Sequence, residues 1–128
     1  MTQGELIDYW LKAAEDSWET ALGLVKLKKY HHALFFCHLA LEKILKGLVF
    51  KKTDSHALPI HDLVKLAEQA GIFLTEGQRK DLEEITTWNI QARYDTVKRA
   101  FYKKSTEKFT DLWTKKVGEL FLWFKNQY

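Results

Sequence analysis

Apolar residues recur at steps of three and four along most of this chain, and they are densest between Tyr30 and Phe50. There Ala33, Leu34, Phe36, Cys37, Ala40, Leu41, Ile44, Leu45 and Leu48 gather on one broad helical face. A surface helix buries a narrower stripe, so the pattern predicts a central helix touched by several others and ending near Lys51-Lys52. His31, His38, Glu42 and Lys46 line up on the opposite side at steps of seven, four and four. Phe35 and Val49 fall within that polar stripe, and Phe50 lies beside it.

The remaining periods read as elements that cover this helix. Leu6, Trp10, Ala13, Ala14, Ser17, Ala21 and Leu24 predict a first helix over about residues 3–27, opened by the capping-box spacing of Thr2 and Glu5. Lys26, Lys28 and Lys29 crowd its end, and the short turn there makes the first two helices antiparallel neighbours. Thr53 to Pro59 has the chemistry of a loop. A short helix follows, with Leu63, Val64, Leu66 and Ala67 inward and Gly71 as its stop. Thr75 and Gln78 form a second capping box, opening a helix through Leu82, Ile85, Thr86 and Ile90. Gln91 to Lys104 keeps no clean period and reads as a helix end and an irregular excursion, with room for a turn of helix. Ser105 or Thr106 caps a last helix striped by Phe109, Leu112, Trp113, Val117, Leu120, Phe121 and Phe124. The expectation is one all-α domain over residues 1–128, an up-and-down bundle of about five helices, four long and one short.

Composition adds limits. The chain has 128 residues, 46% hydrophobic and 14% aromatic, enough for a core without cross-links. A lone cysteine, Cys37, on an apolar helical face excludes a disulfide framework and a cysteine-based zinc site. No run of 18 apolar residues crosses a membrane, and the first residues lack the basic and apolar regions of a leader, so cytoplasmic residence is expected. Phosphate-cradling glycine loops and a GxSxG elbow are absent from the sequence. His31 and His32 point about 100° apart, and His31 and His38 stand about 10 Å apart, so no metal is expected. No cofactor is expected either. His38 and Glu42 have the spacing of a hydrogen-bonded pair, in which the carboxylate should raise the pKa of the imidazole. The stripe they share reads either as a solvated face or as an interface or cleft.

Charge changes the picture only locally, since the net charge is a modest +3. Between Arg93 and Lys104 lie Arg93, Lys98, Arg99, Lys103 and Lys104 against one acid, Asp95, with Tyr94, Phe101 and Tyr102 interleaved. Cations alternating with aromatics suit phosphate neutralisation and base stacking, and a solvated basic loop is the plainer reading. Lys28, Lys29, His31 and His32 form a second, weaker patch.

Three stretches taken in order, HLALEKILKGL, PIHDLVKLAEQAG and ITTWNIQARYD, resemble the HEPN family (higher eukaryotes and prokaryotes nucleotide-binding). The resemblance rests on Ala40, Glu42, Lys43, Leu45 and Lys46, then Pro59 with His61, Asp62 and Leu63, then Ala92, Arg93 and Tyr94; Asp95 stands where the family pattern has Pro. It implies a dimeric all-α domain whose polar cleft faces its two-fold mate. Many such proteins are encoded beside a minimal nucleotidyltransferase and act with it as a toxin–antitoxin module. Others are ribonucleases whose signature is Arg, four to six residues, then His. That signature is missing here, because the arginines are 79, 93 and 99 and the last histidine is 61.

The expectation is therefore a non-catalytic homodimer, with a minimal nucleotidyltransferase as partner, that binds a nucleotide or RNA phosphate. Arg93 would hold phosphate in bidentate fashion, Tyr94 would stack or donate its hydroxyl, and Glu42, Lys46, His38 and His61 would line the cleft. Lys98 and Arg99 would add charge. Phe35, Val49, Phe50, Trp88 and Trp123 are the apolar surplus that the dimer would cover. Two other readings stay open: a metal-independent ribonuclease with His38 or His61 as base, and a structural or interaction bundle without a ligand.

Overall fold

The computed structural model describes residues 1–128, the side chains of Asp95 and Thr96 excepted. Asp95, the one acid of the basic segment, is thus outside the described side chains. Among the described residues the chain forms six helices and no strand: α1 (Gln3–Lys26), α2 (Tyr30–Thr53), α3 (Leu63–Gln69), α4 (Glu76–Gln91), α5 (Asp95–Lys104) and α6 (Glu107–Lys125).

The helix ends follow local chemistry. Thr2 accepts from the Glu5 amide at 3.1 Å, and Thr75 and Gln78 cap each other reciprocally. Asp62 caps α3 by accepting from Lys65 N. Thr106 caps α6, while the neighbouring Ser105 hydroxyl instead donates to the Phe101 carbonyl at 2.6 Å. Gly71, at φ 72°, ends the α3 region in the left-handed conformation. The corresponding position after α1 is Lys28, at φ 60°, where a side chain is strained.

Cross-links between helices give the topology. Gln3 donates to Asp54, Trp10 Cβ lies where a Cβ on Gly47 would need to be, and Lys43 donates to Ser17. Residue numbers rise on α1 as they fall on α2, so the two are antiparallel. Trp18 stacks on Phe121 and Lys125 pairs with Glu15, which sets α6 antiparallel to α1. Lys116 pairs with Asp81, and Trp113 meets Trp88 edge-on, which sets α4 antiparallel to α6.

α2 touches every other helix. Leu34, Leu41, Ile44, Leu45 and Leu48 are fully buried, each stabilising by about 1.5–3 kcal/mol. Cys37 is sealed among them; burial pushes its thiol up to about 12, so it stays protonated.

Three expectations need correction. There are six helices, not about five, because α5 occupies the segment read as irregular. Among its described residues it has one deeply buried anchor, Phe101, so its apolar pattern is too sparse to register as a period. Val49 and Trp88 are fully buried and contribute nothing to an apolar surface. Wide contact on both flanks of α2 takes Val49 inside, and the Trp88 indole is held there by its N–H, which donates to Glu84 at 2.9 Å.

Candidate functional site

The polar stripe of α2 opens neither to bulk water nor to the apolar core. His38 is fully buried and the Glu42 side chain is 9% exposed, so the solvated-face reading fails. The loop before α3 closes over them. His61 in that loop presents Nδ1 to Glu42 Oε1 at 2.8 Å, and its carbonyl lies 3.0 Å from His38 Nε2. Since a carbonyl only accepts, His38 carries its proton on Nε2 and donates it to His61. A carboxylate beside His61 Nδ1 likewise fixes the proton there, leaving His61 Nε2 as the free nitrogen of the neutral ring. Lys46 donates to the other carboxylate oxygen, Oε2, at 3.0 Å.

The second wall comes from α4. Arg93, just past its end, donates from Nε to Asn89 Oδ1 at 2.9 Å, with its guanidinium carbon 5.4 Å from the centre of the Phe35 ring. A stacked, tethered guanidinium has little freedom left, which suits bidentate recognition of an oxyanion. Asn89 is buried, and Thr86, one turn earlier, accepts from the Leu63 amide at 3.1 Å, fastening α3 to α4. Between these walls lies a cavity of about 440 Å³. His61, Arg93, Tyr94 and Asn89 line it, with Thr86, Asp62 and Ile90 completing the wall. The side chain of Asp62 is turned to the α3 N-terminus, where it accepts from Lys65 N at 3.1 Å.

Burial pushes the Glu42 carboxyl up, but the hydrogen bonds from His61 and Lys46 outweigh it and hold the group below its ordinary value. The site therefore keeps a carboxylate. His38 behaves contrary to expectation. Burial dominates and lowers its pKa, overriding the bond to His61 and the charge of Glu42, with Arg93 lowering it further. Nor are His38 and Glu42 a hydrogen-bonded pair, for Nδ1 and Oε1 stand 3.8 Å apart and Glu42 spends that oxygen on His61.

Of the eight residues singled out in the sequence, His61, Arg93 and Tyr94 line the cavity, and Glu42, Lys46 and His38 form the layer behind His61. Lys98 and Arg99 do not join them; both are exposed on α5. Lys104 pairs with Glu84 at 2.7 Å and lies over the Phe109 ring, so it ties α5 to its neighbours. Phe35 was read within the polar stripe, while Asn89 and Thr86 are the residues that sequence reasoning did not place here. The four-residue step from Asn89 to Arg93 was the only signal available for either.

The chain is an all-α domain, a six-helix bundle in which a carboxylate-held imidazole and a stacked guanidinium line one cavity. A family model for the HEPN domain matches residues 7–127, nearly the whole chain, and the chain belongs to that family. Comparison with curated proteins and with solved structures returns no significant match.

Proposed function

We propose that the protein is a HEPN module that binds the phosphate of a nucleotide or of RNA in the cleft between His61 and Arg93. It works as a homodimer, with a minimal nucleotidyltransferase as partner in a toxin–antitoxin pair. The observation that carries the binding reading is the presence of Arg93 and His61 on the walls of one cavity. Phe35 and Asn89 hold the guanidinium, so little side-chain entropy is lost when it meets phosphate. Tyr94, 59% exposed at the cavity rim, offers a ring to stack on and a hydroxyl to donate. The family resemblance supports the dimer and the partner.

Titration of the purified chain with nucleotides and short RNAs tests this reading. Arg93→Ala should weaken binding by about 1–3 kcal/mol, the scale of a charged hydrogen bond, and added salt should weaken it further. No binding at low salt would leave the cleft without a phosphate role.

One observation favours a second reading, metal-independent ribonuclease action. The Glu42 carboxylate holds His61 with Nε2 free, the arrangement of a general base that takes a proton from a 2′-hydroxyl while Arg93 stabilises the charge developing on phosphorus. His38 is excluded from that role by its burial and its bond to the His61 carbonyl. Under the first reading, purified protein leaves messenger RNA intact over hours. Cleavage that persists in chelator and disappears in folded His61→Ala would establish the second.

A further inference from the structure

Beyond the cleft, α5 ends against the turn between α1 and α2. A groove of about 450 Å³ opens there, lined by Lys28, Lys29, His31 and His32 on one side and by Tyr102 and Lys103 on the other. Among the described residues no acidic side chain lines it, although Glu107 and Asp111 on α6 act on Tyr30, which also lines it. Among the described residues, Lys28, Lys29 and Lys103 form no ion pair. The rings are arranged as stacking faces: His31 and His32 stand 4.0 Å apart, and His31 meets Tyr102 edge-on at 5.2 Å. The α2 N-terminus that opens here has no side-chain cap and no acid in its first turn, so its amides add to the positive field.

α5 joins this groove to the cleft. Tyr94 stands at the N-cap of α5 on the cleft rim, and Lys98 and Tyr102 follow at four-residue steps along the helix. Lys98 is near enough to His31 to act on its charge. The result is a row of ring, cation, ring and groove, about 12 Å from Tyr94 to Tyr102.

We propose that this groove is a second, sequence-tolerant subsite for single-stranded RNA, and that an RNA whose phosphate sits at Arg93 runs along α5 to reach it. The proposal rests on the phosphate reading of the cleft and extends it from a nucleotide to a strand. Cations supply contact to the phosphodiester, and the rings supply stacking to any base, so the row binds without reading sequence. A concave groove walled by rings fits a strand better than it fits a flat lipid surface.

The test uses the full chain and uncleavable 2′-O-methyl oligouridylates of two and ten nucleotides. The wild type should bind the longer oligomer about tenfold more tightly. The double variant Lys29→Ala/Lys103→Ala should lose that gain, lower the salt slope by about 1.4 for two lost contacts, and bind the dinucleotide as before. Lys28→Gly is a second variant whose fold should be at least as stable, since glycine suits a φ of 60°. It should nonetheless weaken the decanucleotide alone. If length adds nothing, or the variants bind the decanucleotide like the wild type, the groove is not an RNA subsite, although the cleft reading stands. If neither oligomer binds the wild type, both readings fall. Binding to phosphatidylserine vesicles, lost in the same variants while RNA binding is unchanged, would assign the groove to a membrane surface and overturn the proposal.

Discussion

A carboxylate covered as fully as Glu42 costs several kcal/mol unless its oxygens are filled, and here His61 fills one and Lys46 the other. Glu42→Gln keeps the volume and removes the charge. It should lower stability by about 1–3 kcal/mol, read by urea unfolding, and release the His61 ring. The acid response of the fold follows from the same cluster. A carboxyl held below its ordinary value contributes stability that is present above that value and is lost as pH falls through the folded pKa. His38, held below the ordinary imidazole value, has the same sign: the unfolded chain takes up the proton first, so stability falls as pH drops below about 6.5. His38→Gln retains a donor for the His61 carbonyl and removes that titration. Its unfolding free energy should be flatter than the wild type's just below pH 6.5, and parallel curves would show that His38 does not titrate on unfolding. Glu42 was legible from the polar stripe of α2, Arg93 and Tyr94 from the basic segment interleaved with aromatics, and His61 only from the resemblance to the HEPN family. Their meeting was not legible, because His61 comes from a loop and Arg93 from the end of another helix, with no local spacing between them. The sign of the His38 shift was illegible for a related reason: it depends on how much of the ring is covered, and neighbours in sequence do not set that.

At the scale of elements, what was legible followed from strong periods and caps. α1, α2, α4 and α6 each repeat an apolar face over several turns, and Thr2, Thr75 and Thr106 mark the starts of α1, α4 and α6. α5 escaped because ten residues with Phe101 as the deep anchor make a pattern too short to distinguish from a loop. Gly47 is a different case: nothing in a helical sequence tells a glycine that is merely tolerated from one that is needed. A Cβ at Gly47 would meet Trp10 Cβ at 2.6 Å and collide with the Tyr128 hydroxyl, which donates to the Ile44 carbonyl at 2.7 Å. Tyr128 is a side chain that can swing away, but Trp10 Cβ belongs to α1 and moves only with its helix. Gly47→Ala should therefore cost about 1–3 kcal/mol from overpacking, against a propensity gain of about 1. Gly23→Ala in α1, where a new Cβ meets nothing within 4 Å, should instead stabilise by about 0.5–1 kcal/mol. Thermal unfolding of the two variants should move in opposite directions; a shared direction would mean that the close approach at Gly47 relaxes freely.

At the scale of the whole molecule, no helix among the described residues is long and apolar enough to cross a membrane, and several large apolar side chains stand exposed. Counting aromatic and aliphatic residues in the sequence overestimated the wet ones at Val49 and Trp88, because a count does not say which face a neighbour covers. The exposed set instead includes Ile90, 55% exposed, with Tyr94 and Val97, all at or beside the cleft rim. α6 exposes a separate group, Leu112, Leu122 and Trp123. Closed two-fold pairs are the commonest soluble assembly, and a pair closing on Ile90 and Val97 would dry the space around Arg93 and His61 while leaving the Tyr94 ring at its edge, open to a strand. Drying strengthens a guanidinium–phosphate contact, so assembly and binding should be coupled. The expected result is a homodimer by light scattering at micromolar concentration. Val97→Glu should convert it to monomers and weaken phosphate binding, because a charge cannot be buried unpaired at the centre of an interface. Leu122→Glu on α6 should leave both unchanged. A monomeric wild type would remove the dimer. A dimer broken by Leu122→Glu and untouched by Val97→Glu would move the interface to α6 and leave the cleft open to water in the assembled protein.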